Sequence, residues 1–133
     1  MRPLTEPAGS LDQALAHASR LLATDPELAG EQAVEILKVV NDHPAALLVL
    51  GASHSARGDS GAALDILVPL ARSQPNWALA QLELGVAQGR AGHGEDAVVS
   101  LRRAVALKPD LPQAWLALGD HLSATGDTQA AEA

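Results

Sequence analysis

The sequence predicts an all-α protein built from antiparallel helix pairs, and two observations predict it. The first is a repeat, because Gly51, Gly85 and Gly119 lie 34 residues apart. The second is composition: apolar residues make up 47% of the chain, aromatic residues only 2%, and Phe and Tyr are absent. Most of the apolar residues are Ala and Leu, which lead the helix-propensity scale. Val and Ile are scattered through helical patterns and do not alternate as they would in strands.

Four further sets of residues keep the same step of 34. They are Leu50, Leu84 and Leu118; Gly58, Gly92 and Gly126; Ala63, Ala97 and Ala131; and Pro75 and Pro109. A period shared by five independent sets is not a chance alignment. It indicates repeated units of two helices each.

Each repeated residue type has a structural reason for its place. A glycine such as Gly51 inside the first helix of a unit lets a neighbouring helix approach closely, at a cost of ~1 kcal/mol of helix propensity. Gly58 and its equivalents stand where the first helix should stop in a left-handed C-cap. The small side chain of Ala63 lets the two helices of a pair pack closely, and Pro75 ends the second helix. The predicted first helices cover 45–57, 78–91 and 112–124, and the predicted second helices cover 60–73, 94–107 and 127–133.

A further helix pair is expected upstream. Residues 11–24 form its first helix, and the second begins with Asp25 as N-cap and Pro26 at the first helical position. Aligning "GEQAVEIL" with "GEDAVVSL" places Ala33 opposite Ala97, so this pair is expected to depart from the period and to cap the array. The predicted organisation is a disordered or extended segment 1–10, an atypical pair 11–43, and repeats 44–77, 78–111 and 112–133, the last with a truncated second helix.

Composition and motifs also exclude several function classes. The net charge of −7 argues against nucleic acid or an anionic membrane as partner. The chain has no cysteine, no signal-peptide core and no apolar run near ~18 residues, so a cytoplasmic location is expected. No two histidines lie three or four residues apart, and "ASHSARGDS" and "GRAGHGED" are explained as helix ends and turns. We therefore expect no catalytic residue, cofactor or metal.

Residues 44–133 resemble tetratricopeptide repeats, which are 34-residue helix–turn–helix units with this Leu-Gly, Ala and Pro signature. The match is clearest around Trp115 and Gly119. The resemblance implies a right-handed solenoid of helix pairs. The chain departs from the family where Leu47 and Gln81 replace the usual Trp, and Pro69 is expected to kink the helix that contains it.

The resemblance also implies a concave groove, lined by the first helices, that holds a peptide or a neighbouring domain. Carried over position by position, its partner-binding residues are Leu48, Ala52 and Ser55 in the first regular unit, Leu79, Leu82, Val86 and Arg90 in the next, and Gln113, Leu116 and Asp120 in the last. Places that carry Lys, Asn and Arg in co-chaperone members hold Leu or small apolar residues here. A clamp for a chaperone C-terminal carboxylate is therefore not expected.

An apolar groove predicts a hydrophobic partner: a segment of the same polypeptide, an identical subunit or an external peptide. On this reading, truncation of Leu82 to Ala weakens partner binding more than folding. The alternative is that these leucines belong to the core between helices.

The main functional hypothesis is a non-catalytic protein-interaction scaffold. A second hypothesis follows from a similarity of residues 31–127 to arrays that precede a sulfotransferase domain in some bacterial proteins: an accessory domain that positions substrate or mediates dimerisation.

Overall fold

The structure is a computed structural model that describes the backbone of residues 8–132 and the side chains of residues 10–123. Seven α-helices follow one another in this described backbone, with no strand between them. They are α1 (Ala8–Leu21), α2 (Pro26–Val39), α3 (Pro44–Ala56), α4 (Ser60–Ser73), α5 (Ala78–Arg90), α6 (Gly94–Leu107) and α7 (Pro112–Glu132). The predicted all-α class is confirmed. The segment predicted as disordered or extended lies mostly in residues 1–7, outside the described residues, and residues 8–10 are already helical.

The 34-residue step governs the helix boundaries as well as the sequence. Helices α2, α4 and α6 begin at Pro26, Ser60 and Gly94, and helices α3 and α5 begin at Pro44 and Ala78. Successive helices of each series start 34 residues apart, and α7 keeps the same step. Pro69 lies inside α4, which runs without interruption from Ser60 to Ser73.

Helix α2 keeps the period of 34, although the first pair was expected to depart from it. Helix α2 covers the same positions of the repeat as α4 and α6, so Ala29 is the residue equivalent to Ala97, and Ala33 is equivalent to Leu101. All four side chains are fully buried. The alignment of the two sequence segments displaced α2 by four residues. A displacement of four residues is close to one helical turn, so each residue stays on the same face of the helix. The local similarity of "GEQAVEIL" to "GEDAVVSL" therefore could not distinguish the two registers.

The predicted C-caps are confirmed at Gly58 and Gly92, whose φ angles are 85° and 88°. Each glycine follows the end of its helix in a Schellman motif. The N–H of Asp59 donates to the carbonyl of His54 at 2.8 Å, and the N–H of Gly58 donates to that of Ser55 at 3.1 Å. The same two bonds recur one repeat later, around Gly92.

The third equivalent glycine behaves differently, and the predicted helix end there is wrong. Helix α7 runs from Pro112 through Gly126 to Glu132 as one element. The helix continues through Gly126, so this glycine is not a C-cap. Each residue added to α7 forms one more main-chain hydrogen bond. The glycine lowers the stability of the helix by only about 1 kcal/mol relative to alanine.

The described chain divides into two compact units, residues 1–66 and residues 67–133. In the first unit, α1 packs on α2 and α2 on α3. Asp25 caps α2 as predicted, since its carboxylate accepts from the N–H of Leu28 at 3.1 Å. One core cluster of this unit contains small side chains, Ala18, Ala29, Ala33 and Val49, and Ile36 on α2 is also fully buried.

In the second unit, α6 lies between α5 and α7. Its core contains three alanines and five larger side chains: Ala78, Leu82, Leu101, Ala104, Val105, Leu111, Ala114 and Leu118. Helices α5 and α6 approach closely at Gly85, where a Cβ would lie 2.7 Å from Cγ of Leu101. The predicted role of the repeated glycine is therefore confirmed at Gly85. At the equivalent Gly119, by contrast, nothing in the described part of the chain lies within 4 Å of such a Cβ.

Candidate functional site

Helices α5 and α7 enclose a cleft of about 370 Å³ within the second unit. We call it the α5–α7 cleft. Five predicted groove residues line it: Val86, Arg90, Gln113, Leu116 and Asp120. Gly89, Ala117 and His121 complete the lining. Residues from two successive repeats therefore line one surface.

The side chain of His121 on α7 packs against α5 at Gly89. A Cβ at this position would overlap the imidazole ring of His121. Since only glycine lacks that atom, the ring of His121 can lie directly against the backbone of α5. The two helices are held near enough for one ligand to contact both.

The cleft combines one strongly exposed apolar side chain with charged side chains. Leu116 is 69% exposed, and Val86 beside it is half-buried. Arg90 on α5 and Asp120 on α7 are both exposed and carry opposite charges. The surface can therefore bury an apolar group and orient a charged one.

Leu82 does not lie on this surface. Its side chain is only 5% exposed, and it belongs to the core cluster that contains Leu101 and Leu118. The assignment of Leu82 as a groove residue is wrong, and the alternative of a core position is correct for it. Leu79, one turn earlier, is 39% exposed on α5 but does not line the α5–α7 cleft.

The predicted groove residues of the first unit are mostly inaccessible. Ala52 is 6% exposed and Ser55 only 1% exposed, whereas Leu48 is half-buried. Small residues on a helix are easily covered by their larger neighbours, which explains why position within the repeat alone misplaced two of the three. Leu48 is the member of this set that is partly accessible, so most of the accessible predicted groove residues among those described lie in the second unit.

Sequence reasoning missed one ionisable residue on α5. Burial raises the pKa of Glu83 above its ordinary value, and the positive charge of Arg90 lowers it in part. Glu83 lies two turns before Arg90, a spacing that places both on one side of a helix. That spacing was the available signal in the sequence.

Two polar side chains, Ser53 and His43, form hydrogen bonds with the main chain. The hydroxyl of Ser53 donates to the main-chain carbonyl of Pro26 at 2.6 Å. His43 accepts from the N–H of Ala45 at the start of α3, at 3.2 Å. Within the described residues, no three His, Asp or Glu side chains come together as metal ligands would. No helix in that part of the chain is long and apolar enough to cross a membrane.

Comparison with known proteins shows what this chain is similar to. It is 38% identical over 101 residues to the cellulose synthase 2 operon protein C of Komagataeibacter xylinus, a match that covers 74% of this chain and 8% of that protein. No protein-family model matches the chain. The chain thus spans less than a tenth of the length of this curated relative.

Solved structures give a closer account of the fold. The chain superposes on an O-GlcNAc transferase mutant of Thermobaculum terrenum with a TM-score of 0.81 and 25% identity, covering 95% of this chain and 24% of that one. It superposes on MamA RS-1 with a TM-score of 0.73 and 21% identity, covering 97% and 73% of the two chains.

Both matched structures are tetratricopeptide-repeat proteins. The narrower similarity to arrays beside a sulfotransferase domain receives no support from these comparisons. The described helices, their 34-residue step and the superposed structures agree with one another. The chain therefore has the fold of a tetratricopeptide-repeat array.

Proposed function

We propose that this protein is a non-catalytic scaffold and that the α5–α7 cleft binds an apolar segment of a polypeptide. The observation that carries the proposal is the exposure of Leu116, 69% of its side chain, inside a cleft formed by two helices. Burying a leucine side chain fully is worth ~1.5–3 kcal/mol, so a partner gains most by covering this residue. Arg90 and Asp120 would fix the direction of the bound segment through their opposite charges.

The finer proposal is that the bound segment comes from an identical subunit. Static light scattering of the whole chain across a concentration range tests it. We expect a dimer, and we expect Leu116→Ala to raise its dissociation constant by roughly tenfold, because truncation removes most of the buried area of the residue. Leu107→Ala is the matched control, since Leu107 is 39% exposed on α6 and lies outside the α5–α7 cleft.

Two results would contradict self-association through this cleft. One is a monomer at every concentration. The other is a dimer weakened equally by Leu107→Ala and Leu116→Ala, because the dimer would then not depend on the α5–α7 cleft.

A second candidate function is an accessory array in a longer polypeptide. This candidate is favoured by the lengths of two similar proteins. The chain covers 8% of the cellulose synthase 2 operon protein C and 24% of the O-GlcNAc transferase chain. In that case the cleft would bind a neighbouring domain of the same polypeptide and help it to position substrate or to dimerise. Sequencing the gene beyond the codon for Ala133 tests this candidate. A reading frame that continues into another domain supports it, and an immediate stop codon excludes it.

A further inference from the structure

We propose that a second cleft in the residue 67–133 unit binds an extended peptide segment carrying acidic side chains between apolar ones. This α4–α6 cleft has a volume of about 770 Å³. It lies between the C-terminal part of α4 and helix α6, and α5 forms its floor. Gln81, Leu84 and Gln88 of α5 line it, on the opposite side of that helix from Val86 and Arg90 of the α5–α7 cleft. The proposal therefore does not depend on the proposed function.

The floor of the α4–α6 cleft presents two side-chain amides. Gln81 is 3% exposed, and its Nε2 donates to the carbonyl of Pro75 at 3.3 Å. Its Oε1 is buried without a hydrogen-bond partner. A buried acceptor of this kind carries a free-energy penalty until a donor reaches it. A ligand donor that reached Oε1 would remove this penalty.

Gln88 complements this acceptor. Its Oε1 already accepts from the hydroxyl of Ser100 at 2.7 Å. The amide NH₂ of Gln88 is therefore the part of the side chain left to donate to a ligand. One acceptor and one donor in the same floor match the N–H and C=O groups of an extended peptide main chain.

The walls of the cleft carry positive charge. Arg72 on α4 and Arg103 on α6 both line the cleft and are exposed. Neither guanidinium forms an ion pair within the described part of the chain. Asp96 is the acidic residue in the lining, so the cleft has a net positive charge in a chain whose net charge is −7. Guanidinium groups bind carboxylates in paired hydrogen bonds, which favours an acidic ligand.

The same walls also carry exposed apolar side chains. Val99 is 48% exposed and Leu107 is 39% exposed, both on the α6 side of the cleft. They flank Arg103, at one turn before it and one turn after it. A ligand that pairs with Arg103 would therefore place apolar side chains against Val99 and Leu107.

The repeat explains why the cleft is open at this position. Trp115 is the residue equivalent to Gln81, and its Nε1 donates to the carbonyl of Pro109 at 2.7 Å, as Gln81 does to Pro75. The amide keeps the hydrogen bond but has a much smaller side chain than the indole. The cleft between α2 and α3 in the first unit is lined by Glu27, Glu31 and Glu35 together with Arg57, and its net charge is negative. Of these two clefts, the α4–α6 cleft is the one that favours an acidic ligand.

Nuclear magnetic resonance titration of the whole ¹⁵N-labelled chain tests the proposal. The probe is the peptide acetyl-Leu-Glu-Val-Glu-Leu-amide, and acetyl-Leu-Lys-Val-Lys-Leu-amide is its charge-reversed control. We expect the acidic peptide to shift the side-chain NH₂ of Gln88 and the backbone amide of Val99. Arg72→Ala and Arg103→Ala should each weaken binding roughly tenfold, as expected for the loss of one charge-assisted contact. Arg102→Ala should leave it unchanged, because Arg102 is equally exposed on α6 but does not line the cleft.

Four results would overturn the proposal. Three of them are the absence of shifts at millimolar acidic peptide, equal binding of the basic peptide, and equal weakening by Arg102→Ala and Arg103→Ala. Shifts confined to Val86 and Leu116 would also overturn it, while leaving the proposed function of the α5–α7 cleft intact. Thermal unfolding of each variant verifies that it is folded, which is expected because all three arginines are exposed.

Discussion

At the scale of single residues, the two leucines Leu82 and Leu116 show how burial separates stability from binding. Both were predicted on one groove surface from their place in the repeat. Leu82 lies in the core at 5% exposure, whereas Leu116 is 69% exposed. The same substitution should therefore have different consequences at the two sites.

We expect Leu82→Ala to lower the free energy of unfolding by about 2–5 kcal/mol, since it leaves a cavity beside Leu101 and Leu118. Leu116→Ala should change it by less than about 0.5 kcal/mol. Urea denaturation of the two variants and the unmodified chain measures both values. Similar losses in the two variants would show that Leu116 is also part of the core.

Glu83 predicts a dependence of stability on pH. Because burial raises its pKa, the folded state holds the proton more tightly than the unfolded chain does. The protonated carboxyl group of Glu83 contributes its full share of folding stability when the pH is below the ordinary pKa of a glutamate. That contribution is lost as the pH rises through the raised pKa of Glu83 in the folded state. Glu83→Gln should therefore be more stable than the unmodified chain at neutral pH, and the difference should vanish in acid.

Thermal unfolding at about pH 3.5 and about pH 7 measures this difference. Glu31→Gln is the control, since Glu31 is exposed on α2. An equal gain in stability from the two variants would indicate a general effect of net charge. The role assigned to burial of Glu83 would then be wrong.

At the scale of helices, Gly85 and Gly119 occupy the same place in successive repeats but face different surroundings. A Cβ on Gly85 would lie 2.7 Å from Cγ of Leu101, whereas nothing described lies within 4 Å of one on Gly119. We expect Gly85→Ala to destabilise the chain by about 1–3 kcal/mol through overpacking. Gly119→Ala should stabilise it by about 0.5–1 kcal/mol, because alanine favours the helix.

Urea denaturation distinguishes these two outcomes by the sign of the change. A stabilising Gly85→Ala would mean that α6 can shift away from α5 without loss. A destabilising Gly119→Ala would mean that the surface around Gly119 is already covered.

Much of the helical organisation could be predicted from the sequence, because its signals are local. Asp25 with Pro26 begins a helix, and Gly58 and Gly92 end one through backbone conformations that only a few residues tolerate. Gly126 occupies the equivalent place but lies inside α7, so the residue type alone did not determine the helix end there. The site could be predicted less completely. Which side of a helix is covered depends on packing between segments, so Leu82 and Ser55 were misplaced.

At the scale of the whole molecule, the two compact units share one helix. The boundary after Ile66 falls within α4, which extends from Ser60 to Ser73. Both tryptophans, Trp77 and Trp115, lie in the second unit. Tryptophan fluorescence therefore follows the second unit, whereas helical circular dichroism follows both.

We expect the two signals to give the same unfolding midpoint in urea, because α4 cannot lose half of its hydrogen bonds without weakening the remainder. Equilibrium denaturation recorded by both methods on one sample is the measurement. A fluorescence transition clearly separated from the circular dichroism transition would show that the units unfold independently.

The constant step of 34 residues between helix starts has a consequence for how such a gene can change length. An in-frame duplication of the codons for residues 60–93 would insert a helix equivalent to α4 and a helix equivalent to α5 without altering the register of any other helix. Unequal recombination between neighbouring repeats would produce such insertions, and the reverse event would remove them. The array can therefore lengthen or shorten by whole helix pairs, and each added pair would bring its own copy of the α5 surface.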